Sequence, residues 1–265
     1  MKRVIRFEEP AELAAYRVAN PSNTWDQMRG EERDAYDAVR LQLTIGQGGL
    51  CGYCEIGLHD RDPLKCRVEH FHPKSDTSTD HNWALDWQNM LVVCMGGSQR
   101  HQPLPHTLEP LSENLSCDAH KDQMINADKL ASQCEGWVID PMGLPEFPCL
   151  FFVEKSTGKL VPDEQACADV VLIGNRHPGT QELVQHTIDM LNLNCNRLCE
   201  ARKRVLWDIE RNKKILRQQN IRPDHALRTL AERYFRQRWP GFFTTIRFCL
   251  GTAAEQYLAD IGFQG

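Results

Sequence analysis

Cys51-Gly-Tyr-Cys54, then Glu69-His70-Phe71-His72-Pro73-Lys74-Ser75, Trp87-Gln88-Asn89, Cys94 and finally Cys117-Asp118-Ala119-His120-Lys121: these blocks decide how the chain is read. Cys51 and Cys54 stand two residues apart on a tight turn, so both sulfurs can point inward. Cys94 and Cys117 raise the count to four thiolates, the number that a closed, tetrahedral structural zinc takes. A lone CxxC pair also occurs in redox motifs, but no βαβ pattern surrounds this one. Cys94 read alone would be an ordinary buried apolar residue.

Between the cysteines, Arg67-Val-Glu-His-Phe reads as a short strand that stops at Pro73. Alternation puts Val68, His70 and His72 on one face and Glu69 and Phe71 on the other, so Glu69 points away from His70 unless the strand ends there. SDTSTDHN is a polar loop, and Asn89-Met-Leu-Val-Val is an apolar strand. Asn89, at its mouth, carries an amide that donates and accepts and can tie two loops; its plain alternative is a turn or cap residue. The stretch after Cys94 is rich in Gly, Pro and His and reads as a loop, with His101 and His106 in solvent. Cys117 opens a helix that runs to about Leu130. Asp118 falls in its first turn, where an acid is also favoured for capping alone. His120, two residues on, faces elsewhere, which favours Asp118 over His120 as a metal ligand. Lys121, three after Asp118, can reach a phosphate, as can Lys74.

Outward from this stretch, residues 1–30 show no clear period; Pro21–Thr24 is a turn and Trp25 packs on the core. Tyr36, Val39 and Leu43 fall at helical spacing between Glu31 and about Ile45, and Gly46-Gln-Gly-Gly49 ends that helix. Downstream, Phe151–Val153 and Leu160–Val161 around Thr157-Gly158 suggest a hairpin. From Thr180 the pattern is helical: a Leu183/Thr187/Met190/Leu191 stripe, a Leu198/Ala201/Val205/Ile209/Leu216 helix, a helix from Pro223 to Arg238, and a last one from Thr252 to Ile261. Cys195 and Cys199 are core residues of this region. The expected class is α+β, in three segments: residues 1–48 helical, 49–135 holding the cysteine and histidine blocks, and 136–265 a hairpin followed by helices.

The chain has 265 residues, 41% hydrophobic and 25% charged, ordinary values for a globular protein with a real core. No apolar run is long enough for a membrane span, and MKRVIRFEEP lacks the apolar stretch of a signal peptide, so the expected location is cytoplasmic. In a reducing compartment, 11 cysteines point to metal before disulfides. Residues 197–247 carry 14 Lys/Arg against 5 Asp/Glu on a chain of net charge -5. Arg202 and Arg204 in that basic segment are candidates for contact with nucleic acid or an acidic partner, against the plain reading of solvated helix faces.

Cys51-x-x-Cys54, Glu69-His70, Asn89, Cys94 and Cys117-Asp118-x-x-Lys121 resemble the HNH, or ββα-metal, endonucleases. Cys-Gly-Tyr-Cys-Glu, Glu-His-Phe-x-Pro-Lys-Ser, Asp-Trp-Gln-Asn and the later Leu-Asn-Leu-Asn194 are similar to the HNH nuclease subunit of the Septu antiphage system, also found with retrons. The resemblance implies a zinc-stapled ββα-metal module with structural Zn²⁺ on Cys51, Cys54, Cys94 and Cys117. It implies His70 as general base, Asn89 as the middle asparagine, and Asp118 where the family carries its last histidine, a departure from the literal motif. Glu69 and Asp118 would then hold a catalytic Mg²⁺ or Mn²⁺, hard oxygen ligands for a hard ion. Partners implied are nucleic acid, DNA ahead of RNA, an ABC-type ATPase subunit, and a retron reverse transcriptase with its RNA–DNA product. The rival from another class is a non-catalytic zinc module that only binds; a redox protein using Cys51 and Cys54 lacks the supporting pattern.

Overall fold

The computed structural model describes residues 1–58, 66–98, 112–236 and 239–265. Three helices open the chain: α1 (Ala11–Ala19), α2 (Trp25–Glu31) and α3 (Arg33–Gly46). The first two, nine and seven residues long, escape the sequence pattern because they are too short to show a helical repeat. Local chemistry starts α2 instead: the Thr24 hydroxyl accepts from the Gln27 N–H while the Gln27 side chain accepts from the Thr24 N–H, filling donors that a helix start leaves open. α3 follows its predicted repeat and buries Val39 and Leu43. Gln47, just beyond it, is fully buried. Its amide donates to the Val92 carbonyl at 2.7 Å and accepts from the Val92 N–H at 2.8 Å, sewing the helix end to a strand.

That strand is β2 (Met90–Cys94), antiparallel to β1 (Cys66–His70) in a register that pairs Cys66 with Cys94 and His70 with Met90. β2 is buried along its whole length, hence its unbroken apolar run. A Gly96-Gly97 turn follows it. Gly96 sits at φ +62, and a Cβ there would stand 2.2 Å from the Ser116 carbonyl oxygen, so only glycine lets the two backbones approach. His101 and His106 lie outside the described residues. α4 (Cys117–Asn126) packs against β2 and stops a turn short of the expected Leu130.

The predicted second hairpin is present as β3 (Phe151–Val153) and β4 (Leu160–Pro162). Among the described residues six α-helices follow: α5 (Glu164–Asp169), α6 (Thr180–Met190), α7 (Asn196–Gln218), α8 (Pro223–Phe235), α9 (Phe243–Leu250) and α10 (Thr252–Asp260). α5 and α9 have no counterpart in the sequence expectation; α9 is buried on nearly every side, so its sequence shows no amphipathic period. The Leu-Asn-Leu-Asn194 phrase is a clasp. Leu191 accepts from the Cys117 N–H at 2.8 Å, Asn192 donates to the Glu113 and Leu115 carbonyls, and Asn194 exchanges two hydrogen bonds with the Leu160 backbone. Buried side chains from all three sequence segments join in one apolar cluster. Among the described residues, no helix is long and apolar enough to cross a membrane.

Candidate active site and cysteine cluster

Cys51, Cys54, Cys94 and Cys117 are buried, with their sulfurs all within 4.8 Å of one another. Three of the separations are 3.6, 3.8 and 3.9 Å. A tetrahedral zinc with bonds of about 2.3 Å spaces its sulfurs by roughly 3.8 Å, so the donor set fits that ion. The backbone already solvates sulfur charge: the Cys94 N–H donates to Cys51 Sγ at 3.3 Å and the Gly96 N–H to Cys94 Sγ at 3.4 Å. The Cys117 thiol, with Cys51 and Cys54, holds Cys94 well below the ordinary thiol range, while burial pushes Cys117 well up. Arg197, anchored on Ser116 at 2.7 Å, places a guanidinium beside the cluster; burial lowers it, but Cys54 and Cys94 raise it further. Cys117 takes a left-handed φ of 56, a conformation costly for a non-glycine residue and held here by the Leu191 carbonyl.

Beside the cluster lies a cleft of about 470 Å³ whose lining includes Trp25, Arg67, Glu69, His70, Lys74, Asp118, Lys121 and Asp122. β1 ends at His70, so strict alternation lapses there and Glu69 and His70 both reach the cleft. His70 is buried, with Nε2 3.0 Å from the Ala84 carbonyl oxygen. A carbonyl can only accept, so Nε2 carries the proton and Nδ1 keeps its lone pair. Burial, aided by the Lys74 and Lys121 charges, pulls His70 down to about 4, leaving a neutral imidazole at physiological pH.

Glu69 and Asp118 share one buried space. Lys121 Nζ donates to Glu69 Oε1, the Tyr53 hydroxyl reaches the same oxygen at 3.5 Å, and Arg67 Nε lies 2.5 Å from Asp118 Oδ2. Burial first, then the Glu69 charge, pushes Asp118 up to about 8 against the pull of Arg67 and Lys121. Two carboxylates so placed resist joint ionisation unless more positive charge arrives. Asp122, one turn after Asp118, is also raised, by burial and by Asp118. Oxygen donors of this kind suit Mg²⁺ or Mn²⁺. His120 instead faces α6, its Nδ1 2.8 Å from the Met190 carbonyl.

Asn89 spends its whole amide on backbone: Oδ1 accepts from the His72 N–H at 2.6 Å, and Nδ2 donates to the His72 and Trp83 carbonyls at 3.0 Å each. It shapes the loop between the strands without lining the cleft. Lys74 lies at the rim, 3.4 Å from Asp26. Arg202 corrects the sequence expectation. It is 1% exposed, and its guanidinium donates to the Gly158 and Leu193 carbonyls. Four residues after Leu198 and seven before Ile209, it sits on the buried stripe of α7, and a side chain so enclosed is structural rather than a nucleic-acid contact. Arg204 is exposed.

Arg67, Asp122 and Trp25 escape the sequence reading. The i, i+4 spacing from Asp118 could have revealed Asp122; nothing local marks Trp25, whose place depends on tertiary packing. The His72 ring, gripped by Asp76 at 2.7 Å and Glu135 at 2.5 Å and stacked on Trp83, was likewise invisible.

No family model matches the chain. Among curated proteins it is 34% identical over 250 residues to an Escherichia coli protein named "Retron Ec83 putative HNH endonuclease", an alignment covering 93% of this chain and 92% of that one.

Proposed function

Because the chain belongs to the HNH endonuclease family, we propose that it cleaves nucleic-acid phosphodiester bonds in the cleft between β1, α4 and α2, with DNA as the favoured substrate. The observation that carries this reading is the convergence of His70, its Nε2 held by the Ala84 carbonyl, with Glu69 and Asp118 in one 470 Å³ cleft. In the ββα-metal arrangement, His70 Nδ1 takes the proton from the attacking water while the Ala84 carbonyl holds the other nitrogen and so the tautomer. Glu69 and Asp118 would hold a Mg²⁺ or Mn²⁺ ion, which supplies charge neutralisation at the scissile phosphate and the departing oxygen. Lys121 and Arg67 line the same cleft and, with Lys74 at its rim, offer cations to the phosphate backbone. Cys51, Cys54, Cys94 and Cys117 would hold a closed, structural zinc, which would tie the turn before β1, the end of β2 and the start of α4 to one another.

Likeness to the Septu nuclease subunit supports an ABC-type ATPase as the partner in an antiphage complex. The retron in the relative's name supports a reverse transcriptase and its RNA–DNA product as neighbours. Cleavage of plasmid DNA and tRNA, with and without Mg²⁺ or Mn²⁺, by wild type and His70→Ala tests the core of this reading. A metal-dependent rate that His70→Ala abolishes is expected. Equal rates in both proteins reject the catalytic assignment of His70, and no cleavage by either leaves the non-catalytic binding module as the better account.

A further inference from the structure

His70 is held from two directions. On one side its Nε2–H donates to Ala84. On the other its ring packs edge-on against Trp25, with centroids 4.9 Å apart and planes at 76°. Trp25 belongs to α2, outside the stretch that carries the family motifs, and is 4% exposed. The two supports are joined by one side chain. Asn82 Nδ2 donates to the carbonyls of Pro21 and Asn23 at 2.9 Å each, in the turn that leads into Trp25. The Asn82 Oδ1 accepts from the Ala84 N–H at 3.1 Å. Asn23 in turn donates to the Tyr16 hydroxyl, which donates to Glu31 at the far end of α2. A single amide therefore sets both the acceptor and the aromatic wall that face the imidazole.

We propose that Trp25 is a positioning residue for His70, and that Asn82 locks Trp25 and the Ala84 carbonyl into one frame that aims Nδ1 into the cleft. The inference rests on the nuclease reading above. One hydrogen bond fixes one atom of a ring and leaves the ring free to swing about that bond. The edge contact with Trp25 removes the swing. A base displaced by about 1 Å from its water loses on the order of a hundredfold in rate.

The test measures kcat and KM on plasmid DNA for the full chain carrying Trp25→Ala, Trp25→Leu, Trp25→Phe or Asn82→Asp, each alone and with His70→Ala. Zinc content and thermal melting report whether each variant folds. Trp25→Ala and Trp25→Leu should lower kcat by about tenfold to a hundredfold with KM little changed, and Trp25→Phe, which keeps an aromatic face, should recover most of it. Asn82→Asp retains the acceptor for the Ala84 N–H, loses both donated bonds, and should cost roughly tenfold in kcat. In the His70→Ala background none of these changes should lower the residual rate further.

Unchanged kcat in folded Trp25→Leu and Asn82→Asp overturns the proposal, as does a loss of equal size in the His70→Ala background. If Trp25→Ala fails to fold, or the His70→Ala rate is too low to read, the comparison of Phe with Leu decides: equal kcat in the two rejects a positioning role. Full activity of His70→Ala itself would instead remove the nuclease assignment of His70, a separate and distinguishable failure.

Discussion

Replacing Asp118 by Asn should change the pH dependence of stability in a direction that the cleft dictates. In the Mg²⁺-free protein Asp118 holds its proton up to about pH 8, against an ordinary value of 3.8. An unfolded chain gives that proton up near 4. Between those values the folded state binds the extra proton, so stability falls as pH rises, by about 1.4 kcal/mol per pH unit, and levels off above 8. From pH 5 to pH 8 the loss accumulates to roughly 4 kcal/mol. Asp118→Asn keeps the shape of the neutral acid and has no proton to lose, so this slope should vanish. His70, pulled down to about 4, gives the opposite slope between about 4 and 6.5, but it does so in both proteins and cancels in the difference. The assay is urea unfolding of both proteins at pH 5 to 9 without chelators, so that bound zinc is left in place. The variant should gain on wild type with each unit up to pH 8. Adding Mg²⁺ at pH 8 should then restore the wild type and leave Asp118→Asn unmoved. Parallel pH profiles, or equal stabilisation of both by Mg²⁺, would refute the shared carboxylate site.

Cys94→Ser should reduce bound zinc from one ion per chain, read by elemental analysis, and lower the melting temperature by roughly 10 °C or more, since structural zinc contributes strongly to folding. Arg202→Met should destabilise by about 2–4 kcal/mol in urea, because the Gly158 and Leu193 carbonyls lose their partner, with no change in DNA affinity per folded molecule. Arg204→Ala should do the reverse: unaltered melting, and a salt dependence of DNA binding shallower by about one counterion in a filter or anisotropy titration. Asn89→Ala strips two buried backbone groups of His72 and the half-buried Trp83 carbonyl of their partner and should cost roughly 3 kcal/mol, with the loop around Trp83 gaining amide exchange.

The cysteine cluster was legible because a closed structural zinc takes four donors whatever the fold between them, and Cys51-x-x-Cys54 with Cys94 and Cys117 offers four. β1 and β2 were legible through period two and an unbroken apolar run. Glu69 was harder. Alternation turns it away from His70, and only the end of β1 at His70 lets both enter the cleft. Arg202 carries the charge of a surface residue, yet its spacing from Leu198 and Ile209 places it on the buried stripe. Trp25 could be assigned to the core but not to His70, because nothing in local sequence connects residues 45 apart. The same holds for the bonds of Gln47 to Val92 and of Asn192 to Glu113 and Leu115, which span long sequence separations.

Those long contacts bear on where the catalytic unit ends. Two five-residue strands form a hairpin that is marginal by itself in water, and α4 is 10 residues long, too short to be stable alone. What holds β2 at its middle is the Gln47 amide on Val92; what holds Cys117 is the Leu191 carbonyl, with the Asn192 side chain on the segment just before it; what holds His70 is Trp25 and, through Asn82, the turn before α2. Each of these supports lies outside residues 49–135 or reaches outside them. A zinc would fix four sulfurs, but Cys94 lies at one end of the hairpin, whereas His70 lies at the other, since the register pairs Cys66 with Cys94 and His70 with Met90. Four residue steps of extended chain, about 3.3 Å each, separate the two ends, so an ion on the sulfurs would not set the imidazole to the fraction of an ångström that proton transfer demands. That precision has to come from packing, and here the packing is supplied by the N-terminal helices.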